Sequence, residues 1–321
     1  HEDAHVHVLS GGTEPQGKQQ AGFSMGSYYT RMRGTNHPDT GMPTYVLLTE
    51  KEIDGQYRKE INRVNKGSWP GSLGPSYSPF GHQIGWAGQD DNQKGRQPKD
   101  SLAASIKLNL PQQVLENRVQ LLQSIDRFNR QVDSSGTMDA VDKFTAQAMN
   151  LILGGAAEAF DYRKEDPRLV ERYDTSHVRI GHKLFRQSTL GKQMLVARRL
   201  CEVGCGFVTV HSAGWDMHAD GNNPGMVKGM DMLGRTLDQA VSTFLEDVEQ
   251  RGLSDKILLV ITGDFGRTPR INKNGGRDHW AKLGTLAFAG GGLRMGQVIG
   301  QSARGADVPG TDPISTPEMM A

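Results

Sequence analysis

The chain has 321 residues, which is long enough for one large domain or two ordinary ones. It carries 37 Lys and Arg against 36 Asp and Glu, so its net charge of +1 gives no general attraction to nucleic acid or acidic membranes. Gly is in excess at 40 residues, about 12% against a usual ~7%, which favours a globular fold with many tight turns. No apolar run approaches the ~18 residues that a transmembrane helix needs.

The first fifty residues predict a compact unit. Residues 1–9 are rich in His, residues 10–12 (SGG) predict a turn, a helix is expected around 25–32, and TYVLL predicts a strand at 44–48. Residues 50–101 differ, because Gly, Pro, Ser, Asn, Gln and charged residues dominate there. We expect an irregular insertion that covers the site, since its composition offers too little apolar surface for a second core.

Residues 111–203 are mainly helical in pattern. Apolar residues spaced by three or four predict helices at about 114–125, 138–153 and 183–203. The first of these begins after Pro111, a residue that suits a helix start.

The last third of the chain alternates strands with a helix. FVTVH (207–211) predicts a strand, and apolar spacing predicts a long amphipathic helix over 226–248. ILLVIT (257–262) and TLAFAG (285–290) are unbroken apolar runs, typical of parallel strands buried on both faces. This order predicts a βαβ unit in a mainly parallel sheet.

Potential metal ligands follow two of these strands. The loops 211–220 and 263–280 hold the candidate ligands Asp216, His218, Asp264, Asp278 and His279. Because ligands collect at the carboxyl ends of strands in open α/β sheets, we expect these side chains in one pocket. Carboxylates with imidazoles are the donors that zinc and similar divalent ions prefer. Taken singly, each residue is also explained as a helix cap or a satisfied polar side chain, so the combination carries the prediction.

Cations and amides accompany the candidate ligands. Arg267 and Arg277 lie in Gly-flanked stretches and suit an oxyanion such as phosphate or sulfate, which Arg can bind bidentately. For the other cations of that loop, a solvated basic surface explains the sequence as well as an oxyanion site does. The Asn- and Asp-rich segment 219–223, with Asp220 and Asn222, is expected to contact substrate.

The motifs GWDMHAD, GDFGRTPRIN, GRDHW and AGGGLRMGQVIG, in this order, resemble one bacterial family. It is the sulfatase-like "domain of unknown function 1501" family of the alkaline phosphatase superfamily. The likeness covers most of the chain and is strongest over about 190–300. It implies an α/β fold, namely one alkaline-phosphatase-like α/β/α sandwich over residues 1–321 with a mainly parallel sheet and a divalent-metal centre.

The resemblance also implies roles for particular residues. The superfamily's strand-end Asp and His match Asp216 and His218, its next carboxylate matches Asp264, and a later His matches His279. Phosphatases have a His beside that carboxylate, where this chain has Phe265.

The N-terminal segment matches less closely. VLSG (8–11) resembles a sulfatase turn that lies ten residues after the nucleophile, which puts His1 at the nucleophile position and His5 near a signature Arg. No Cys lies there, so formylglycine chemistry is excluded. His1 could be a nucleophile, a metal ligand or a relic. The superfamily's first strand and its Asp should precede His1, so an N-terminally truncated fragment is expected, with marginal folding and poor metal binding.

These observations lead to two hypotheses. The first is a metal-dependent hydrolase of phosphate or sulfate esters of a small molecule or carbohydrate, with zinc expected before calcium or manganese. Arg267 or Arg277 would hold the remaining negative charge, and His1 or a water would attack. The alternative is a non-catalytic, metal-stabilised binding or surface protein. No basic stripe with aromatic residues supports nucleic-acid binding. The resemblance implies a periplasmic or extracellular location.

Overall fold

The computed structural model describes residues 4–10, 22–50, 57–84, 156–315 and Glu318. Within them the chain mixes helices and strands around a small parallel sheet, which agrees with the α/β class. The α-helices are α1 (Ala4–Leu9), α2 (Met25–Arg33), α3 (Arg58–Gly67), α4 (Pro167–Tyr173), α5 (Leu190–Glu202), α6 (Met226–Gly229) and α7 (Arg235–Gln250). The strands are β1 (Tyr45–Glu50), β2 (Phe80–Ile84), β3 (Arg179–Gly181), β4 (Phe185–Gln187), β5 (Phe207–Val210), β6 (Leu258–Thr262), β7 (Gly266–Arg267), β8 (His279–Trp280) and β9 (Leu286–Gly290).

The parallel sheet has β1 at its centre, between β2 and β5. Every residue of β1 is buried, which fits its apolar sequence YVLL. The predicted helix and strand in this region are confirmed as α2 and β1. Helix α2 begins where the Ser24 hydroxyl accepts the backbone N–H of Ser27 at 3.1 Å, a common N-terminal cap.

The described part of residues 50–101 contains regular elements that its composition did not predict. Helix α3 lies there, and β2 pairs in parallel with β1, so this segment adds a strand to the central sheet. Phe80 anchors β2 to the core, because the centre of its ring lies 5.4 Å from that of Phe160. Residues 85–101 lie outside the described residues.

The helical region differs from the prediction at its C-terminal end. The helices predicted at 114–125 and 138–153 lie outside the described residues. The third is α5, which begins at Leu190 and not at 183, because 185–187 form strand β4 and pair with β3. The pairing of β4 with β3 in a short hairpin therefore overrides the helical pattern at 183–189.

The prediction of a βαβ unit from β5, α7 and β6 is not met within the described residues. Strand β5 pairs with β1, whereas β6 pairs antiparallel with β9 in a separate two-stranded sheet. A parallel return needs a long crossover, usually a helix. Residues 263–285 contain no helix but the short β7–β8 pair, so the chain returns antiparallel.

The prediction that β6 is buried on both faces is also wrong. Its residues alternate in exposure, with Leu258 47% and Val260 39% exposed, while Leu259 packs against a buried cluster. A strand in a two-stranded antiparallel sheet covers a helix layer with one face and leaves the other open.

Helix α5 joins the layers of the core. One of its faces packs on β1 through Val196 and Leu200, and another packs on α7 through Leu195. A fully buried Arg198 on α5 bonds Asp247 of α7, with 2.8 Å between Nε and Oδ2. Within the part of the chain described above, no helix combines the length and apolar character needed to cross a membrane.

Candidate metal centre

The loops after β5 and β6 converge, although these strands lie in different sheets. Nε2 of His218 lies 2.8 Å from Oδ1 of Asp216 and 2.9 Å from Nε2 of His279. That His279 nitrogen lies 2.9 Å from the same Asp216 oxygen. We call these residues the triad. Three of the predicted metal ligands thus meet at one point.

The triad has the donor set of a divalent metal site. Its three donor atoms lie within 4.8 Å of one another, and all three residues are half-buried. Tetrahedral zinc with ligands at ~2.0–2.2 Å holds its donor atoms about 3.3 Å apart, so movements of a few tenths of an ångström would admit the ion. Two imidazoles, one carboxylate and an open fourth position form a donor set used by catalytic zinc sites. The triad is therefore a possible metal site.

The charges around Asp216 favour its ionised form. Burial alone raises the pKa of Asp216, but hydrogen bonds from His279 and Arg267 outweigh burial and hold that pKa below its ordinary value. Nη1 of Arg267 lies 2.5 Å from Oδ1 of Asp216. Only the ionised carboxylate binds a metal well, and these partners keep Asp216 ionised.

Asp278 lies behind His218 and not within the triad. Its Oδ1 is 3.1 Å from Nδ1 of His218, the ring nitrogen that does not face Asp216. A proton on Nδ1 that bonds this carboxylate leaves Nε2 free of a proton and able to bind a metal. Hydrogen bonds from His218, and next from Asn272, lower the pKa of Asp278. Asp278, predicted as a ligand, therefore lies where a positioning carboxylate would lie.

Asn272 and Gly276 join the two loops of the centre. Nδ2 of Asn272 donates to the backbone oxygen of His218 at 2.9 Å, and its Oδ1 accepts the N–H of Gly276 at 3.0 Å. A Cβ on Gly276 would lie 2.1 Å from the carbonyl carbon of His218, so only glycine allows this approach. Sequence reasoning missed both residues, although the turn NKNGG (272–276) was the available signal.

Arg267 reaches the centre from β7, which pairs it with His279 of β8. Besides Asp216, its guanidinium bonds the backbone oxygen of Trp215 at 3.4 Å and lies 5.5 Å from the ring centre of Phe265. The Phe265 ring in turn packs 4.5 Å from His279. Phe265, at a position where the resembled phosphatases have His, therefore supports a triad member and adds no donor.

Arg277 and Asp264 border the triad without joining it. The backbone N–H of Arg277 donates to the oxygen of Met217 at 2.9 Å, between the two triad residues of that loop. Its side-chain Nε is buried and has no hydrogen-bond partner among the described residues. Asp264 accepts the backbone N–H of Phe265 at 2.9 Å and contributes no atom to the triad.

Asp220 and Asn222 form the turn next to the triad. Oδ1 of Asp220 accepts the backbone N–H groups of Asn222 and Asn223 at 2.7 and 2.8 Å. Burial raises the pKa of Asp220, but these hydrogen bonds outweigh it and lower that pKa below its ordinary value. Oδ1 of Asn222 accepts from Nζ of Lys183 at 2.6 Å. Asp220 thus orders its own loop, and Asn222 connects that loop to the β3–β4 hairpin.

The predicted N-terminal site residues are described only in part. His1 lies outside the described residues. His5 belongs to α1, which packs against α3. Helix α3 carries Glu60, whose Oε2 accepts the backbone N–H of Gly214 at 3.1 Å, two residues before Asp216. Helix α1 therefore packs on the helix that contacts the triad loop.

Two glutamates, buried Glu50 and half-buried Glu60, were missed from the sequence. Burial, followed by the charge of Glu60, raises the pKa of Glu50 to about 8. Burial also raises the pKa of Glu60 to about 7, and the charges of Asp216 and Asp264 contribute. Glu60 is therefore within electrostatic range of the triad. No sequence signal marks it, because its partner Gly214 is 154 positions away.

Comparison with known proteins gives one relationship. No curated protein and no solved structure matches the chain. One family matches it from residue 1 to residue 321, which is its whole length. The chain therefore belongs to the family described as "Protein of unknown function (DUF1501)".

Proposed function

We propose that this protein is a metal-dependent hydrolase of phosphate or sulfate esters, of the alkaline phosphatase superfamily type and independent of formylglycine. The observation that carries the proposal is the triad, because two imidazoles and an ionised carboxylate converge on one point. Zinc fits this donor set best, since calcium prefers oxygen ligands only. Manganese remains an alternative ion. The superfamily assignment rests on the resemblance of the four motifs.

Each residue around the triad has a role in this proposal. Asp216, His218 and His279 would hold the ion, and Asp278 would keep Nε2 of His218 available for binding. When bound, the ion would polarise the ester and lower the pKa of water. The guanidinium of Arg277, a residue whose backbone bonds the triad loop at Met217, would bind a non-reacting oxygen of the phosphoryl or sulfuryl group. Water would attack phosphorus or sulfur, the ester bond to the leaving oxygen would break, and that oxygen would take up a proton.

The test combines metal binding with turnover. Protein stripped of metal would be titrated calorimetrically with zinc, manganese or calcium, and assayed on p-nitrophenyl phosphate and p-nitrophenyl sulfate. Because all three donors of the triad lie in this chain, we expect one tight zinc site and zinc-dependent turnover, and not the poor metal binding expected of a truncated fragment. His279→Gln should weaken zinc binding by at least about 100-fold. The exposed His177→Gln is the matched control and should bind zinc normally. Equal turnover without metal, or in His279→Gln, would refute the proposal.

A non-catalytic protein on the same scaffold is the second candidate. Arg267 favours it, because its guanidinium lies 2.5 Å from Asp216 and already compensates that charge. In this case the triad would be a structural ion-pair network that binds no metal, in contrast to the metal-stabilised alternative that the sequence suggested. Asp216→Asn would then lower the melting temperature equally with and without zinc. The hydrolase proposal instead expects zinc to raise the melting temperature of the unmodified protein only.

We propose a periplasmic or extracellular location, which rests on the family resemblance alone. Fractionation of native cells with an antibody against the chain tests it. Recovery with the periplasm or the medium would support export, and recovery with the cytoplasm would contradict it.

A further inference from the structure

The hairpin of β3 and β4 forms a cationic surface near the metal centre. An open depression of about 690 Å³ lies there, and its described lining residues are Arg179, Lys183, Leu184, Phe185 and Arg186. These described residues include three cations and no carboxylate. A surface that gathers charges of one sign attracts ions of the other sign, so this cavity attracts anions. Arg can also bind sulfate or phosphate oxygens through two parallel N–H groups.

The hairpin is attached to the triad loop at two places. Ile180 and Phe185 pack on the cluster that contains Met217, the residue between Asp216 and His218. Nζ of Lys183 also donates a hydrogen bond to Oδ1 of Asn222, at 2.6 Å. Asn222 follows His218 by four residues, so their Cα atoms are at most about 14 Å apart. The hairpin that lines the cavity therefore lies next to the loop that carries Asp216 and His218.

We propose that this cavity is an anion subsite that binds a second sulfate or phosphate group of the substrate. The inference rests on the proposed function and specifies its substrate class, an ester that carries further oxyanion groups, such as a sulfated or phosphorylated carbohydrate. The triad would act on one group while the hairpin holds another. Binding energy from the remote group would position the reacting ester.

The lining does not favour nucleic acid as the polyanion. Non-specific nucleic-acid grooves combine cations with aromatic rings on which bases stack. Phe185 is the aromatic residue among the described lining, and Nζ of Lys228 lies 4.9 Å from its ring centre. The same ring packs on the buried Met217 cluster. Phe185 is therefore committed to the fold and offers no stacking platform.

The experiment measures binding without metal, so that it does not depend on catalysis. Calorimetry of the metal-free full chain would use sucrose octasulfate and inositol hexakisphosphate as probes, with inorganic sulfate for comparison. The double variant Arg179→Gln/Lys183→Gln alters two exposed side chains. Arg168→Gln/Lys256→Gln, also exposed, is the control with the same change in net charge.

We expect the hairpin variant to bind the polyanions at least about tenfold more weakly, and the control within about twofold of the unmodified protein. Preference for one probe would identify sulfate or phosphate as the held group. No polyanion binding, equal weakening in both variants, or tighter binding of single-stranded oligonucleotide than of either probe would overturn the proposal. Loss of polyanion binding in the hairpin variant of a protein that hydrolyses no ester would retain the subsite and refute the proposed hydrolase.

Discussion

A hydrogen bond with Asp278 fixes which nitrogen of His218 faces the triad. Oδ1 of Asp278 lies 3.1 Å from Nδ1 of His218. A carboxylate behind a metal-binding His commonly contributes 10–100-fold to metal affinity. We therefore expect Asp278→Ala to weaken zinc binding by about 10–100-fold without unfolding the protein, because the residue is exposed. Zinc titration by calorimetry checks this. Asp255→Ala, another exposed aspartate, is the control, and equal affinities in the two variants would contradict the assigned role.

Gly276 permits the close contact between the two loops of the centre. In Gly276→Ala the new Cβ would meet the His218 backbone at 2.1 Å, so one loop must move and separate the triad donors. We expect weaker zinc binding and a lower melting temperature. Gly221→Ala is the control in the neighbouring turn, since its Cβ would meet nothing within 4 Å. A Gly276→Ala protein with unchanged zinc affinity would show that the approach is not required.

Two carboxyl groups, of buried Glu50 and half-buried Glu60, make stability depend on pH. Burial raises the pKa of Glu50 from 4.5 to about 8, and that of Glu60 to about 7. Between about pH 4.5 and pH 8 the folded protein therefore holds protons that the unfolded chain has released, so stability falls as pH rises. We expect the melting temperature to drop across this range, and Glu50→Gln to reduce the drop. Exposed Glu171→Gln should leave it unchanged. An identical drop in Glu50→Gln would exclude Glu50 as its cause.

At the level of elements, α5 and α7 are joined by charge as well as by apolar contact. Arg198 is fully buried and bonds Asp247 at 2.8 Å, and Asp247 also accepts from Tyr173 at 3.0 Å. Removing one partner of a buried pair costs about 3–5 kcal/mol where the remaining charge is left uncompensated. Arg251 also pairs with Asp247, at 2.7 Å, and limits this loss. We therefore expect Arg198→Met to lower the free energy of unfolding by up to about 3–5 kcal/mol in denaturant titrations.

The control for Arg198 is an exposed ion pair that links α4 to the same helix α7. Arg172 pairs with Glu246 there, and both side chains are exposed. Arg172→Met should change the free energy of unfolding by only about 0–1 kcal/mol. Similar losses in the two variants would show that burial does not set the contribution of these pairs.

At the scale of the whole molecule, one face of the β6–β9 sheet leaves apolar side chains uncovered. Val260 and Phe288 lie opposite each other on it, 39% and 40% exposed, and β6 pairs with no other described strand. Apolar faces and open strand edges promote self-association. We expect Val260→Thr/Phe288→Thr to reduce association in sedimentation experiments at increasing concentration. Val227→Thr, an isolated site that is 88% exposed, should leave it unchanged. Equal association in both would contradict a role for this face.

Patterns within a few residues were enough to predict much of this protein. The apolar run at 44–48 and the helical spacing at 25–32 correspond to β1 and α2, because burial of one strand or helix depends on residues two to four positions apart. The candidate metal donors of the triad were also identifiable, since Asp216, His218 and His279 follow strands in loops rich in Gly. The family resemblance came from the same local motifs.

Only the tertiary structure decided which distant residues meet. In the structure, β6 pairs with β9 and not with β5. Asp278 contacts Nδ1 of His218, the nitrogen that faces away from the triad, and Glu60 bonds Gly214 across 154 positions. Strand pairing and side-chain contacts depend on how the helix layer and the loops pack together. The local sequence therefore determined the kinds of donor this protein carries, and the assembled chain determined which donors share a site, because contacts between distant residues are settled together and not one segment at a time.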